Sequence, residues 1–124
     1  MSLVLIVEDN EKNLKLVRDV LQAKGYATLE AGSAEEGLAL ARERAPGLIL
    51  MDIHLPGMSG IEALKALRAE AATAAIPVIA ITASVMQESV REVMAAGFEA
   101  LIEKPIEVLG FLEKVRRVLE APRR

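Results

Sequence analysis

Hydrophobic runs in this chain end on polar residues of a few types. Glu8 and Asp9 follow "LVLIV" (3–7), Asp52 follows "LILM" (48–51), Thr82 follows "VIAI" (78–81), and Lys104 follows "EALIE" (99–103). A carboxylate at the end of a buried strand loses much of its water, and charges are rarely buried unless paired or metal-bound. Three carboxylates gathered within a few Å repel by roughly 4 kcal/mol per pair at 4 Å and an effective dielectric near 20. Lys104 cancels one charge and leaves two, which a single divalent cation neutralises. With oxygen donors and 0 cysteines, the hard ions Mg²⁺ or Mn²⁺ are favoured. A metal and a lysine beside a carboxylate also suit phosphate. Each residue has a plainer reading on its own. Glu8 and Asp9 suit helix capping, Asp52 a loop acid, Thr82 a strand end and Lys104 a solvated charge. His54, the single histidine, reads as an exposed loop side chain. Met51, Met58, Met86 and Met94 read as packing residues. The signal is their conjunction at matched strand ends.

Placing them together is the work of the surrounding elements. The three runs at 3–7, 48–51 and 78–81 are short and nearly continuous, as parallel strands covered on both faces are. "ATLEA" (27–31) and "EALIE" (99–103) mix in charge, which places them at the sheet edges. Amphipathic segments lie between the strands. Ser33 with Glu36, Ser59 with Glu62, and Ser84 with Gln87 match capping-box spacing at three helix starts. Gly25 and Gly97 read as C-terminal caps. Val108, Leu112, Val115 and Leu119 define the apolar stripe of a final helix, with Glu113, Lys114, Arg116 and Arg117 toward solvent. Strand–helix alternation implies an α/β, flavodoxin-like, doubly wound (βα)5 fold with a parallel sheet ordered 2-1-3-4-5 and helices on both faces. In such sheets ligands bind beyond the carboxyl ends of the strands where strand order reverses. That is the rim where the polar residues gather.

Composition narrows the class. The 124 residues suit one domain, 52% hydrophobic and 2% aromatic content describe an aliphatic core, and the net charge of −3 argues against a broad nucleic-acid-binding face. Absent cysteine suits a reducing compartment. The apolar runs are far shorter than the roughly 20 residues of a membrane span, and "MSLVLIVEDN" lacks signal-peptide character. A cytoplasmic, single-domain, monomeric protein over residues 1–124 is expected, with no output domain.

"LIVEDN" (5–10), "LILMDIHLPGMSG" (48–60), "IAITA" (79–83) and "EKP" (103–105) together resemble a bacterial response-regulator receiver domain of the CheY-like superfamily over essentially the whole chain. The style is closest to stand-alone DivK-like receivers. The resemblance implies that Asp52 is the phosphoacceptor of a two-component system or phosphorelay. It would be loaded by a histidine kinase or histidine phosphotransfer protein and would signal to a downstream protein target. Asp9 and Asp52 would bind Mg²⁺ (or Mn²⁺) directly, the His54 backbone carbonyl would add a ligand, and Glu8 would act through water. Thr82 would bond the phosphoryl oxygens and Lys104 would pair with them, while small Ala83 leaves room. Such a domain catalyses only its own phosphotransfer and dephosphorylation. The resemblance also implies a cis Lys104–Pro105 bond.

Two departures accompany it. Glu8 stands where the family often has Asp. Leu101 stands where the family usually has Tyr or Phe, so the aromatic marker of the family's switch is missing although Thr82 remains. Competing readings are a phosphorylation-independent binding module, a receiver excised from a hybrid histidine kinase, a flavin-binding electron carrier and an Asp-dependent phosphatase. The flavin reading lacks a phosphate-cradling loop after the first strand. The phosphatase reading lacks an acid two residues beyond Asp52, where His54 sits.

Overall fold

The computed structural model describes residues 2–83 and 90–121. Five strands and five helices alternate: β1 (Leu3–Val7), α1 (Glu11–Ala23), β2 (Ala27–Ala31), α2 (Ala34–Arg44), β3 (Leu48–Asp52), α3 (Gly60–Ala69), β4 (Val78–Thr82), α4 (Val90–Ala95), β5 (Ala100–Glu103) and α5 (Val108–Glu120). All strand pairs are parallel, in the order β2-β1-β3-β4-β5. The expected flavodoxin-like arrangement is the one observed, with the two charged strands at the edges.

Period-2 alternation splits the core into two layers. Leu5, Val7, Ile49, Met51, Val78 and Ala80 point to one face, where α2, α3 and α4 cover them through Leu38, Leu64 and Val93. Val4, Ile6, Leu48, Leu50, Ile79 and Ile81 point to the other, under α1 and α5. The three central strands are thus apolar at nearly every position because both their faces are roofed. Among the described residues, no helix is long and apolar enough to cross a membrane.

Helix ends follow local chemistry with informative exceptions. Ser59 and Glu62 form a complete capping box at α3. Ser33 caps α2 by accepting from the Glu36 N–H, but the Glu36 carboxylate takes the N–H of Gly32 instead of closing the box on Ser33. The Ser84–Gln87 pair and Met86 lie outside the described residues. Gly25 and Gly97 have φ of 90° and 115°, the left-handed conformation that ends helices. Two expectations need correction. The buried stripe of α5 is Phe111, Val115 and Val118, with Leu112 and Leu119 flanking it and Val108 exposed, because the stripe is set by the side chains nearest the sheet. Met94 is likewise exposed on α4, whereas Met51 is core and Met58 packs at its margin. The two phenylalanines, Phe98 and Phe111, are both buried in an otherwise aliphatic core.

Candidate functional site

β1 and β3 are adjacent in the sheet, with Val7 paired to Met51, so the residues that follow them meet at the carboxyl rim. Glu8, Asp9 and Asp52 each present a carboxylate oxygen, and these atoms all lie within 4.8 Å of one another. Glu8 is 2% exposed and Asp52 3% exposed, while Asp9 faces solvent. Lys104, carried there by the end of β5, places Nζ 3.0 Å from Glu8 Oε1 and 3.0 Å from Asp52 Oδ2. Thr82 ends β4 fully buried, one strand from Asp52, and Ala83 beyond it is exposed. The Lys104–Pro105 peptide bond is cis. The six residues Glu8, Asp9, Asp52, Thr82, Ala83 and Lys104 therefore share one rim of the sheet.

The carboxylates are oriented by main-chain donors. The His54 N–H donates to Asp52 Oδ1 at 2.9 Å and the Asn10 N–H to Glu8 Oε2 at 3.2 Å. The His54 side chain is exposed. Burial, then the hydrogen bond and charge of neighbouring Asp52, push Glu8 up to about 7, against the opposing pull of Lys104. For Lys104 burial works against the ammonium, but hydrogen bonds to Glu8 and Asp52 outweigh it and hold the group above its ordinary value. Desolvated acids around one lysine are what an oxygen-coordinated divalent cation relieves, and the donor set, all carboxylate among side chains, fits Mg²⁺.

Three contributors to this geometry escape a reading of charged residues alone. Asn10, not Glu8 or Asp9, caps α1, its Oδ1 accepting from the N–H groups of Lys12 and Asn13. That leaves both acids available to the rim, and the signal was an Asn directly before the helical pattern. Gly60 opens α3 against the back of Asp52. A Cβ there would lie 2.6 Å from the Asp52 carbonyl oxygen and 2.8 Å from Ile53 Cα. A glycine right after a capping serine, where helices gain nothing from it, was the clue. Glu107 caps α5 through the N–H groups of Leu109 and Gly110. It stands three residues beyond Lys104 and so fixes where the chain turns after the lysine.

Residues 4–116 match the response regulator receiver domain. The chain is 48% identical over 116 residues, 94% of either sequence, to the polar-differentiation response regulator DivK of Brucella ovis, and 47% identical over the same length to that of Brucella anthropi. Among solved structures it resembles the Vibrio cholerae chemotaxis protein CheY4, with 30% identity, TM-score 0.88, and coverage of 95% of this chain and 98% of that one. It also resembles the receiver domain of a Pseudomonas aeruginosa sensor histidine kinase, solved with a magnesium ion coordinated in the active site cleft. There the identity is 26%, the TM-score 0.90, and the coverage 97% and 98%.

Proposed function

The chain belongs to the response-regulator receiver family of two-component signalling, and from that premise we propose that Asp52 accepts a phosphoryl group from a histidine kinase or histidine phosphotransfer protein. The observation that carries this reading is the Asp52 carboxylate itself. It is buried, aimed by the His54 N–H and the Lys104 ammonium, and within 4.8 Å of the Glu8 and Asp9 oxygens.

The chemistry is positioning and charge neutralisation. Asp52 is a carboxylate and needs no general base. One of its oxygens forms the new bond to phosphorus while the donor's phosphorus–nitrogen bond breaks, and the donor imidazole leaves with the electron pair. Lys104 offsets the negative charge that accumulates on the phosphoryl oxygens, and the Thr82 hydroxyl supplies a hydrogen bond to them once the group is in place. Asp9, Asp52 and the His54 carbonyl are the residues that would hold Mg²⁺ or Mn²⁺, with Glu8 acting through water. When bound, the ion supplies positive charge to the crowded carboxylates and the incoming phosphoryl oxygens. Ala83, exposed and small, leaves space beside Thr82.

The acyl phosphate adds charge and acceptor oxygens at one rim. Recruitment of Thr82 and Lys104 biases the neighbouring loops, and the signal leaves by protein–protein contact from a monomeric chain. Incubation with a small acyl-phosphate or phosphoramidate donor, read by intact-mass spectrometry, tests this. A single phosphoryl adduct is expected with Mg²⁺ and none with chelator. Labelling that persists in Asp52→Asn, or that ignores chelator, would overturn the assignment.

A further inference from the structure

Lys104 reaches Glu8 and Asp52 with a single ammonium, 3.0 Å from each. A lysine stem is four flexible carbons, so this shared contact depends on where the backbone of Lys104 is held. On one side the sheet holds it. The Lys104 N–H donates to the Thr82 carbonyl at 2.8 Å, and Ile102 two residues earlier is buried. On the other side the chain leaves β5, and the next anchor is Glu107. Its Oε2 accepts from the Leu109 N–H at 2.9 Å and its Oε1 from the Gly110 N–H at 2.8 Å. Its carbonyl accepts from the Phe111 N–H at 2.9 Å, and Phe111 is buried in the same core layer as Ile102. The turn that carries Lys104 therefore spans two fixed points, and one of them is a helix cap.

Glutamate is an unusual choice for that cap. Asn, Asp, Ser and Thr are the strong ones, and glutamate is a methylene longer than aspartate. The longer side chain needs room, which Gly110 supplies. A Cβ at Gly110 would lie 2.8 Å from Glu107 Oε1, and among the described residues that carboxylate is all it would meet beyond its own helix and chain neighbours. Gly110 does not have a positive φ, and glycine inside a helix sacrifices propensity. The carboxylate against it is the local feature that accounts for it. Glu107 and Gly110 form a length-matched cap, with the negative charge placed at the positive end of α5.

We propose that Glu107 is a positioning residue for phosphoryl transfer at Asp52: seated against Gly110, its carboxylate holds the turn that presents the Lys104 ammonium to the two buried acids. The inference rests on the reading of Asp52 as phosphoacceptor. Glu107 acts through the backbone of Lys104 and touches none of the reacting atoms. Without the cap the first turn of α5 frays and the ammonium draws back from Glu8 and Asp52. Two effects of opposite sign follow. Phosphoryl uptake slows, because the charge that offsets the phosphoryl oxygens is misplaced. Mg²⁺ binds more tightly, because a cation competing for the same carboxylates has withdrawn. A general loosening of the rim would weaken both.

The experiment has two arms on the full chain. Uptake from phosphoramidate at saturating Mg²⁺ is timed by intact-mass spectrometry, and Mg²⁺ alone is titrated into unphosphorylated protein and followed at the Asp9, Asp52 and Ile53 amides. Glu107→Ala should slow uptake about fivefold, the equivalent of one cap, and bind Mg²⁺ about twofold more tightly. Glu107→Ser, a short strong cap, should restore both. Gly110→Ala should slow uptake about threefold although alanine is the better helix former, and should slow it no further in the Glu107→Ser chain, whose cap does not need the room. Glu107 is exposed, and the amide spectrum verifies the fold of each variant. The proposal is overturned if Glu107→Ala takes up the phosphoryl group at the parent rate or binds Mg²⁺ more weakly, if serine restores nothing, or if Gly110→Ala has the same effect in both backgrounds. A parent chain that takes up no phosphoryl group overturns the Asp52 reading instead, and the Mg²⁺ titration then decides alone whether Glu107 holds Lys104 on the acids.

Discussion

Gly60→Ala probes the packing that places Asp52. The new Cβ would lie 2.6 Å from the Asp52 carbonyl oxygen, 2.8 Å from Ile53 Cα and 3.1 Å from Met51 Cγ. Both of the two nearest atoms are main chain, one at the end of β3 and one in the residue just after it, where the Ile53 N–H is bonded to the Ile81 carbonyl, so neither swings away as a side chain would. Bringing the shortest contact out to 3.4 Å, where ordinary contact begins, requires α3 to retreat by about 0.8 Å. The retreat strains the Gly60 N–H to Ile53 carbonyl bond, now 3.1 Å, which ties α3 to the loop after Asp52. Overpacking of this kind costs about 1–3 kcal/mol, and alanine returns up to about 1 kcal/mol of helix propensity. The expected net loss is about 1–2 kcal/mol, a fall in Tm of roughly 4–8 °C for a chain of this size. Gly32→Ala is the control, because a Cβ there meets nothing closer than the Glu36 carboxylate at 3.9 Å. It should leave stability within about 0.5 kcal/mol. Thermal and urea unfolding of both variants decide the matter. A Gly60→Ala protein as stable as the parent, or no less stable than Gly32→Ala, refutes the claim that glycine is required for α3 to close on Asp52.

Other expectations follow from single contacts. Ala45 ends α2 at φ 46° and ψ 61°, a conformation that costs an L-residue roughly 1–2 kcal/mol. Ala45→Gly should therefore raise stability by about 0.5–1 kcal/mol, and a lower Tm would contradict this. Glu8, pushed up to about 7 from 4.5, binds its proton more tightly when folded. Its contribution is fully present below about pH 4.5 and is lost as pH rises through about 7, by at most about 3 kcal/mol. Urea unfolding of metal-free protein across that window should show this decline, and Glu8→Gln should flatten it; parallel slopes for the two proteins would be the wrong result. With leucine at 101, binding of beryllofluoride should shift amides near Asp52 more than those of β5 and α5. Shifts of equal size across Glu99–Glu103 and α5 would show that the switch is not muted there.

The strand order was legible because burial writes itself into composition. "LVLIV", "LILM" and "VIAI" are apolar throughout since helices cover both faces, while "ATLEA" and "EALIE" carry charge because edges meet water. The acids, Thr82 and Lys104 were legible for the same reason, as polar residues directly after strands whose carboxyl ends must lie together. The apolar stripe of α5 was misread at Val108 because 3.6-residue spacing fits more than one set of positions, and only contact with the sheet chooses among them.

The sequence by itself determined the alternation of elements, the parallel sheet, and the convergence of Glu8, Asp9, Asp52, Thr82 and Lys104 on one rim, since these follow from local hydrophobic period and chain order. Tertiary structure decided that Lys104 bonds Glu8 and Asp52 at once, that Asn10 alone caps α1, that Gly60 touches the back of Asp52, and that Lys114 of α5 donates to the Leu101 carbonyl of β5. Each of these is a contact between residues distant in the chain or a choice between equivalent local options. Their energies depend on Å-scale separations, which packing sets and sequence spacing does not.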